Sequence, residues 1–99
     1  MNDIDEIKDE LLELGFNVDS IGIIYWVEAI KMMKENFLGW DMTLIYEKIG
    51  EKYNTIYTAV ERNMRTCIEK AKPNIQKKYN YYKNIKNQTF LSLIRFKLI

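Results

Sequence analysis

Histidine is absent from this 99-residue chain, which holds one cysteine, one proline and four glycines. Without His, and with Cys67 alone, the side chains that build a zinc finger or a His-based acid–base centre are missing. A single cysteine closes no intramolecular disulfide. Cys67 falls on the apolar side of an expected helix, which suits a buried free thiol in a reducing cytoplasm. Long apolar runs are also lacking. Nothing approaches the roughly 20 residues of a membrane span, and the acidic N-terminus is unlike a signal peptide. No nucleophile–base pair, glycine-rich phosphate loop or metal-ligand spacing occurs. Neither an enzyme, a cofactor nor a metal is expected.

What is present is the composition of an ordinary globular protein, 47% apolar and 29% charged, in a length that suits one domain over residues 1–99. The net charge of +1 says little, but its distribution says more. Residues 1–51 hold 4 Lys and 12 Asp or Glu, a net −8, whereas residues 52–99 hold 11 Lys or Arg and 2 Glu, a net +9. Such polarity offers a basic face to phosphate, or else the two halves neutralise each other in the fold.

Helical periodicity runs through the chain. Ile4, Ile7, Leu11 and Leu14 form a first stripe with acidic residues at its start and Gly15 as its stop. Asp3, Asp5, Glu6, Asp9, Glu10 and Glu13 read as its solvated face. Asn17 to Ser20 is a turn, and Asp19 or Ser20 caps a second helix reaching about Glu35. Ile21, Ile24, Tyr25, Glu28, Met32 and Glu35 lie along one side, with Ile23, Val27, Ile30 and Met33 beside them. A helix this apolar is central. Phe37, Leu38 and Trp40 anchor a connection, and Trp26 and Trp40 read as packing residues. The expected class is all-α, with five to six helices.

The stretch from about 43 to 72 reads as a helix-turn-helix. Leu44, Ile45, Ile49 and Tyr53 form one stripe, Asn54-Thr55 interrupts it, and Val60, Met64, Cys67, Ile68 and Ala71 resume it. Asp41 or Thr43 caps the first of these helices. Thr55 or Thr58 begins the second, with Thr58 to Glu61 matching a capping box, and Pro73 ends it. The Lys-, Asn- and Tyr-rich segment 74–87 is compatible with loop or short helix. Asn87 or Thr89 starts a last helix carrying Phe90, Leu91, Leu93, Ile94, Phe96, Leu98 and Ile99, which is either buried centrally or meets a second copy.

Thr58, Glu61, Arg62, Arg65 and Thr66 occupy the outward face of the second helix, where such side chains reach base edges and phosphates. The plain alternative is a solvated face on which Glu61, Arg65 and Glu69 pair at four-residue spacing. Glu61 could accept from cytosine, cap the helix or orient Arg65. Thr55 and Thr58 could give hydroxyls to a phosphate, though capping alone would explain both. Lys70, Lys72, Lys77 and Lys78 are candidates for auxiliary phosphate contacts. Tyr79, Tyr81 and Tyr82 interleave with lysines, a pattern compatible with base stacking or with one ring tucked into the core.

These residues resemble the C-terminal effector domain of the master response regulator of endospore formation, the sporulation stage-zero transcription factor family. Asn54-Thr55, Val60-Glu61-Arg62, Arg65, Ile68 and Glu69 match its recognition helix without a gap. Leu44-Ile45-Tyr46, Ile49 and Lys52 fit the preceding helix, with Tyr53 replacing a Phe. Gly15, Gly22, Tyr25 and Glu28-Ala29-Ile30 match earlier in the chain, and Asn87, Phe90 and Lys97-Leu98 match near its end. Segment 74–86 is shorter and different. The resemblance implies a six-helix domain that binds short repeated boxes in double-stranded DNA, often as adjacent copies, with Glu61, Arg62 and Arg65 at the DNA.

Ala59 stands where the family has a base-reading Arg, and Asn63 and Thr66 also differ, which puts the family's preferred DNA sequence in doubt here. No receiver domain fits in this length, so phosphorylation control is not implied, and the chain is either a fragment or a stand-alone relative. The expectation is a sequence-specific transcriptional regulator of the cytoplasm and nucleoid, with no membrane partner, acting alone, as a homodimer or as tandem copies. The alternative is a receiver-less interaction module that pairs with a full-length sporulation-type regulator and reads no DNA itself.

Overall fold

The computed structural model describes residues 3–35 and 41–98. Phe37, Leu38 and Trp40 lie outside the described residues. Five helices occur among those described: α1 (Asp3–Glu13), α2 (Ile21–Lys34), α3 (Met42–Lys52), α4 (Tyr57–Tyr79) and α5 (Asn87–Leu98). There is no strand among them, and the fold is all-α. No helix of the described residues is long and apolar enough to cross a membrane.

Helix α2 is the hub, packed against α1, α3, α4 and α5. Ser20 caps it, its hydroxyl accepting from the Gly22 amide at 3.1 Å. Gly22 then lets α2 and α4 approach. A Cβ there would lie 2.6 Å from the Asn63 carbonyl oxygen and would collide with the Cys67 sulfur. One turn further, the Trp26 indole N–H donates to the Met64 carbonyl at 3.0 Å. The same ring meets Phe90 edge-on at 4.9 Å, and Phe90 stacks on Phe16 at 5.5 Å. Offset and edge-on pairs are favoured aromatic geometries.

Two stripes sit differently from the sequence expectation. Ile21 and Ile24 are exposed, at 44% and 42%, while Ile23, Trp26, Val27, Ile30 and Met33 face inward. The Gly22–Trp26 face must meet α4, and that rotation turns Ile24 outward. Leu44 is likewise exposed, while Ile45 and Ile49 take the inner side of α3. Helix α5 buries Phe90, Leu91 and Ile94 and leaves Phe96 in solvent. Cys67 is a buried free thiol; burial pushes its pKa up, against the opposing effect of the Ser20 hydroxyl 3.5 Å away.

Pro73 does not end α4; the helix continues to Tyr79. An interior proline costs about 3 kcal/mol through a lost hydrogen bond and a steric clash, so the turns beyond it need other support. Ile75 is fully buried. Asn74 donates to the Leu14 carbonyl at 3.0 Å, and Lys78 bonds Glu10 at 2.9 Å and Glu13 at 2.8 Å. The Tyr79 hydroxyl donates to Glu10 at 2.7 Å. The helix stops at Asn80, whose left-handed φ of 52° favours Asn among non-glycine residues. Residues 74–79 are therefore further helix, and 80–86 link α4 to α5, which begins at Asn87.

Gly22→Ala should destabilise the fold by about 1–3 kcal/mol in urea denaturation, through overpacking against Asn63. Helix propensity alone would have Ala stabilise by about 1 kcal/mol, so the sign decides. Burial, then the bond to Glu10, raises the Tyr79 phenol above its ordinary value. A raised folded-state pKa stabilises fully below the unfolded value of about 10 and is lost as pH climbs past it. Tyr79→Phe should therefore melt lower near pH 8, yet lose less stability than the parent above pH ~10.

Candidate nucleic-acid interface

Helices α3 and α4 are joined by four residues, Tyr53 to Ile56. Asp41 caps α3, accepting from the amides of Thr43 at 3.0 Å and Leu44 at 3.3 Å. The chain leaves α3 through Asn54 in a left-handed conformation, φ 55°. It folds back so that the Thr55 amide donates to the Gly50 carbonyl at 2.8 Å. Only glycine suits position 50, because a Cβ would lie 2.7 Å from the Thr55 carbonyl oxygen. Behind the turn, Tyr53 packs on Tyr25 at 5.6 Å, and Lys52 bonds Glu28 at 2.7 Å.

Neither Thr55 nor Thr58 caps α4. Ile56 takes the cap position, with no side-chain hydrogen bond, and Thr58 sits exposed in the first helical turn. The capping-box expectation fails because the cap falls at Ile56, upstream of the Thr58 that the motif requires there. The first amides of α4 are consequently left without a side-chain acceptor.

Val60, Met64, Cys67, Ile68, Ala71 and Ile75 are buried along the inner side of α4. At about 3.6 residues per turn, Thr58, Arg62, Arg65, Thr66 and Glu69 fall opposite them, and all five are exposed. Arg62 is held by no ion pair among the described residues. Arg65 reaches Glu61 at 3.4 Å, as the solvated-face alternative foresaw, but both partners keep substantial exposure. Thr66 donates its hydroxyl to the Arg62 carbonyl at 3.0 Å. Ala59 is half-buried, its carbonyl accepting from the Asn63 side chain at 2.8 Å. Thr55 is half-buried in the turn.

The lysines separate. Lys70 and Lys77 are exposed and Lys72 half-buried, whereas Lys78 is committed to Glu10 and Glu13 on the side facing α1. Tyr79 is bound to Glu10 and Tyr81 packs against the core, so only Tyr82 of that run is well exposed. Charge neutralisation between the halves thus occurs at Lys78 and at Lys52, away from the outward strip of α4.

Three residues absent from the sequence-derived site belong to this region. Asn87, the first residue of α5, donates from Nδ2 to the Tyr46 hydroxyl at 3.1 Å and to the Glu61 carbonyl at 3.2 Å. It ties α3, α4 and α5 together, and its buried Oδ1 has no partner. Burial raises the Tyr46 phenol, against the Asn87 bond, which lowers it. The other two are Ile56 and Tyr57, 68% and 49% exposed at the start of α4. Tyr57 stands three residues before Val60 and seven before Met64, on the spacing of the buried stripe, so its exposure was not legible from periodicity. Nothing in the spacing could show that Asn87 meets residues 26 and 41 positions away.

The family model for the C-terminal region of sporulation initiation factor Spo0A matches residues 7–98, nearly the whole chain. The chain belongs to this family, one of DNA-binding transcription-factor domains and not of enzymes. None of the curated proteins compared with the chain matches it.

Asn87→Ala removes a donor from both the Tyr46 hydroxyl and the Glu61 carbonyl. It should cost about 1–3 kcal/mol in urea denaturation. An unchanged midpoint would show that the three-helix junction does not depend on this side chain.

Proposed function

We propose that this Spo0A C-terminal family member is one helix-turn-helix domain over residues 1–99 that binds a specific double-stranded DNA sequence and regulates transcription. In this reading α4 is the recognition helix and lies in the major groove, with α3 crossing the backbone. The observation that carries it is the exposed strip Thr58, Arg62, Arg65 and Thr66 on a helix whose opposite side is locked into the core.

Arg62 and Arg65 are the base readers, each able to grip guanine O6 and N7 bidentately. Glu61 holds Arg65 in place before DNA arrives. Releasing that pair costs little, because exposed pairs are worth about 0–1 kcal/mol. Thr58 and the uncapped first amides of α4 face a phosphate, as helix N-termini commonly do. Thr55 holds the turn that presents these groups, its amide bonded to the Gly50 carbonyl. Lys70, Lys72 and Lys77 add electrostatic attraction beside the strip, and Lys78 adds less because two carboxylates hold it. Ala59 contributes a small surface where a longer side chain would reach a base, so the preferred site is this chain's own. Action on chromosomal DNA places the protein on the nucleoid.

Selection of bound duplexes from a random library should enrich one motif, with affinity falling steeply as salt rises. Against that motif, Arg65→Ala should lose about five- to 150-fold in affinity, the range of one good bidentate contact. Its thermal melt should stay within a degree or so of the parent, because the side chain is exposed and its pair weak. Equal affinity in the variant would overturn the assignment of Arg65.

A further inference from the structure

Ile56 and Tyr57 stand together, well exposed, at the leading end of α4. Scattered exposed apolar side chains are ordinary. These two are adjacent, and they occupy the end of a recognition helix that penetrates the groove most deeply. Thr55 and Thr58, each with a methyl group, flank them, and Ala59 follows. The first turn of α4 is thus methyl-rich and uncharged, and the guanidinium groups begin only at Arg62.

The surroundings narrow the partner. Ile56 and Tyr57 share a shallow depression with Glu47, Glu51, Asn54 and Thr55. The two carboxylates disfavour a phosphate inside this depression, and the phosphate assigned above lies against Thr58, which is not part of its lining. The uncharged apolar feature of the major groove is the thymine C5-methyl group, and apolar side chains are its usual readers. We propose that the first turn of α4 is a thymine-reading element. Ile56 and Tyr57 contact thymine methyl groups next to the bases that Arg62 and Arg65 read. This rests on the DNA-binding reading above and adds a base preference that the arginines alone do not give.

Replacing each thymine of the enriched duplex by deoxyuridine, one position at a time, removes a single methyl group and keeps every Watson–Crick bond. The parent protein should lose about fourfold in affinity at one or two positions, the worth of one buried methyl group. Ile56→Ala and Tyr57→Ala, both retaining the parent melt, should each weaken binding to the thymine duplex. At least one of them should be indifferent to deoxyuridine at the position where the parent responds. A parent indifferent at every thymine would overturn the proposal and leave the apolar pair to a protein partner. So would variants that keep the full deoxyuridine penalty. If the parent enriches no motif, the DNA-binding reading itself falls, a result separate from either of these.

Discussion

The crossing of α2 and α4 is the constraint on which the rest depends. Gly22 permits the backbones to touch, and the Trp26 indole donates into the Met64 carbonyl, one turn into the buried side of α4. A buried indole N–H must find an acceptor or cost about 1–3 kcal/mol. Finding it on a helix backbone fixes the position of α4 along its axis as well as its rotation. Phe90 closes the other side of the same ring. One side chain therefore sets which residues of α4 look outward, and Arg62 and Arg65 owe their exposure to contacts made behind them.

The acidic and basic halves of the chain acquire a structural meaning in this frame. Helix α1 uses Glu10 and Glu13 to hold Lys78, and Glu10 to hold Tyr79, at the far end of α4. Those bonds lie beyond Pro73, where local chemistry alone would stop the helix. A helix of 23 residues is thus supported at its centre by α2, at its C-terminal turns by α1 and near its start by Asn87. Glu10 and Glu13 are thus spent at the end remote from Arg62 and Arg65. On the strip itself Arg65 is paired only weakly, with Glu61.

Much of this was legible in the residues. The buried stripe of α4 recurs at helical spacing from Val60 to Ala71, and Gly15, Ser20 and Asp41 mark boundaries by local chemistry that tertiary contacts do not override. What was not legible depended on long-range partners. Pro73 reads as a terminator because the local penalty is large, and only contacts with Glu10, Glu13 and Leu14, distant in the chain, carry the helix past it. Ile24 reads as core because α2 is apolar around most of its circumference, so periodicity alone cannot choose its rotation. The candidate strip itself, Thr58 to Thr66, was visible because a solvated face on a half-buried helix needs no distant partner. Ile56 and Tyr57 were not placed in it, since an apolar residue beside a core stripe is ordinarily counted with the core.

A rigid α4 also bears on how recognition is divided. Binding a flexible helix would consume free energy in ordering it, about 1–2 kcal/mol for each residue fixed. Here the helix is already held at its start, its centre and its C-terminal turns, so contacts at the outward strip count almost fully toward affinity. In the proposed complex Arg62 and Arg65 would bring directional hydrogen bonds, which discriminate strongly but tolerate little displacement. The methyl-rich first turn would bring area-dependent contact, which is weaker per group but forgiving of small shifts. Ala59 between them is small and half-buried, so in the proposed complex it leaves the two groups to act separately. The proposed recognition thus divides between fit at the leading turn and hydrogen bonding one turn later, on one helix whose inner side is buried in the core.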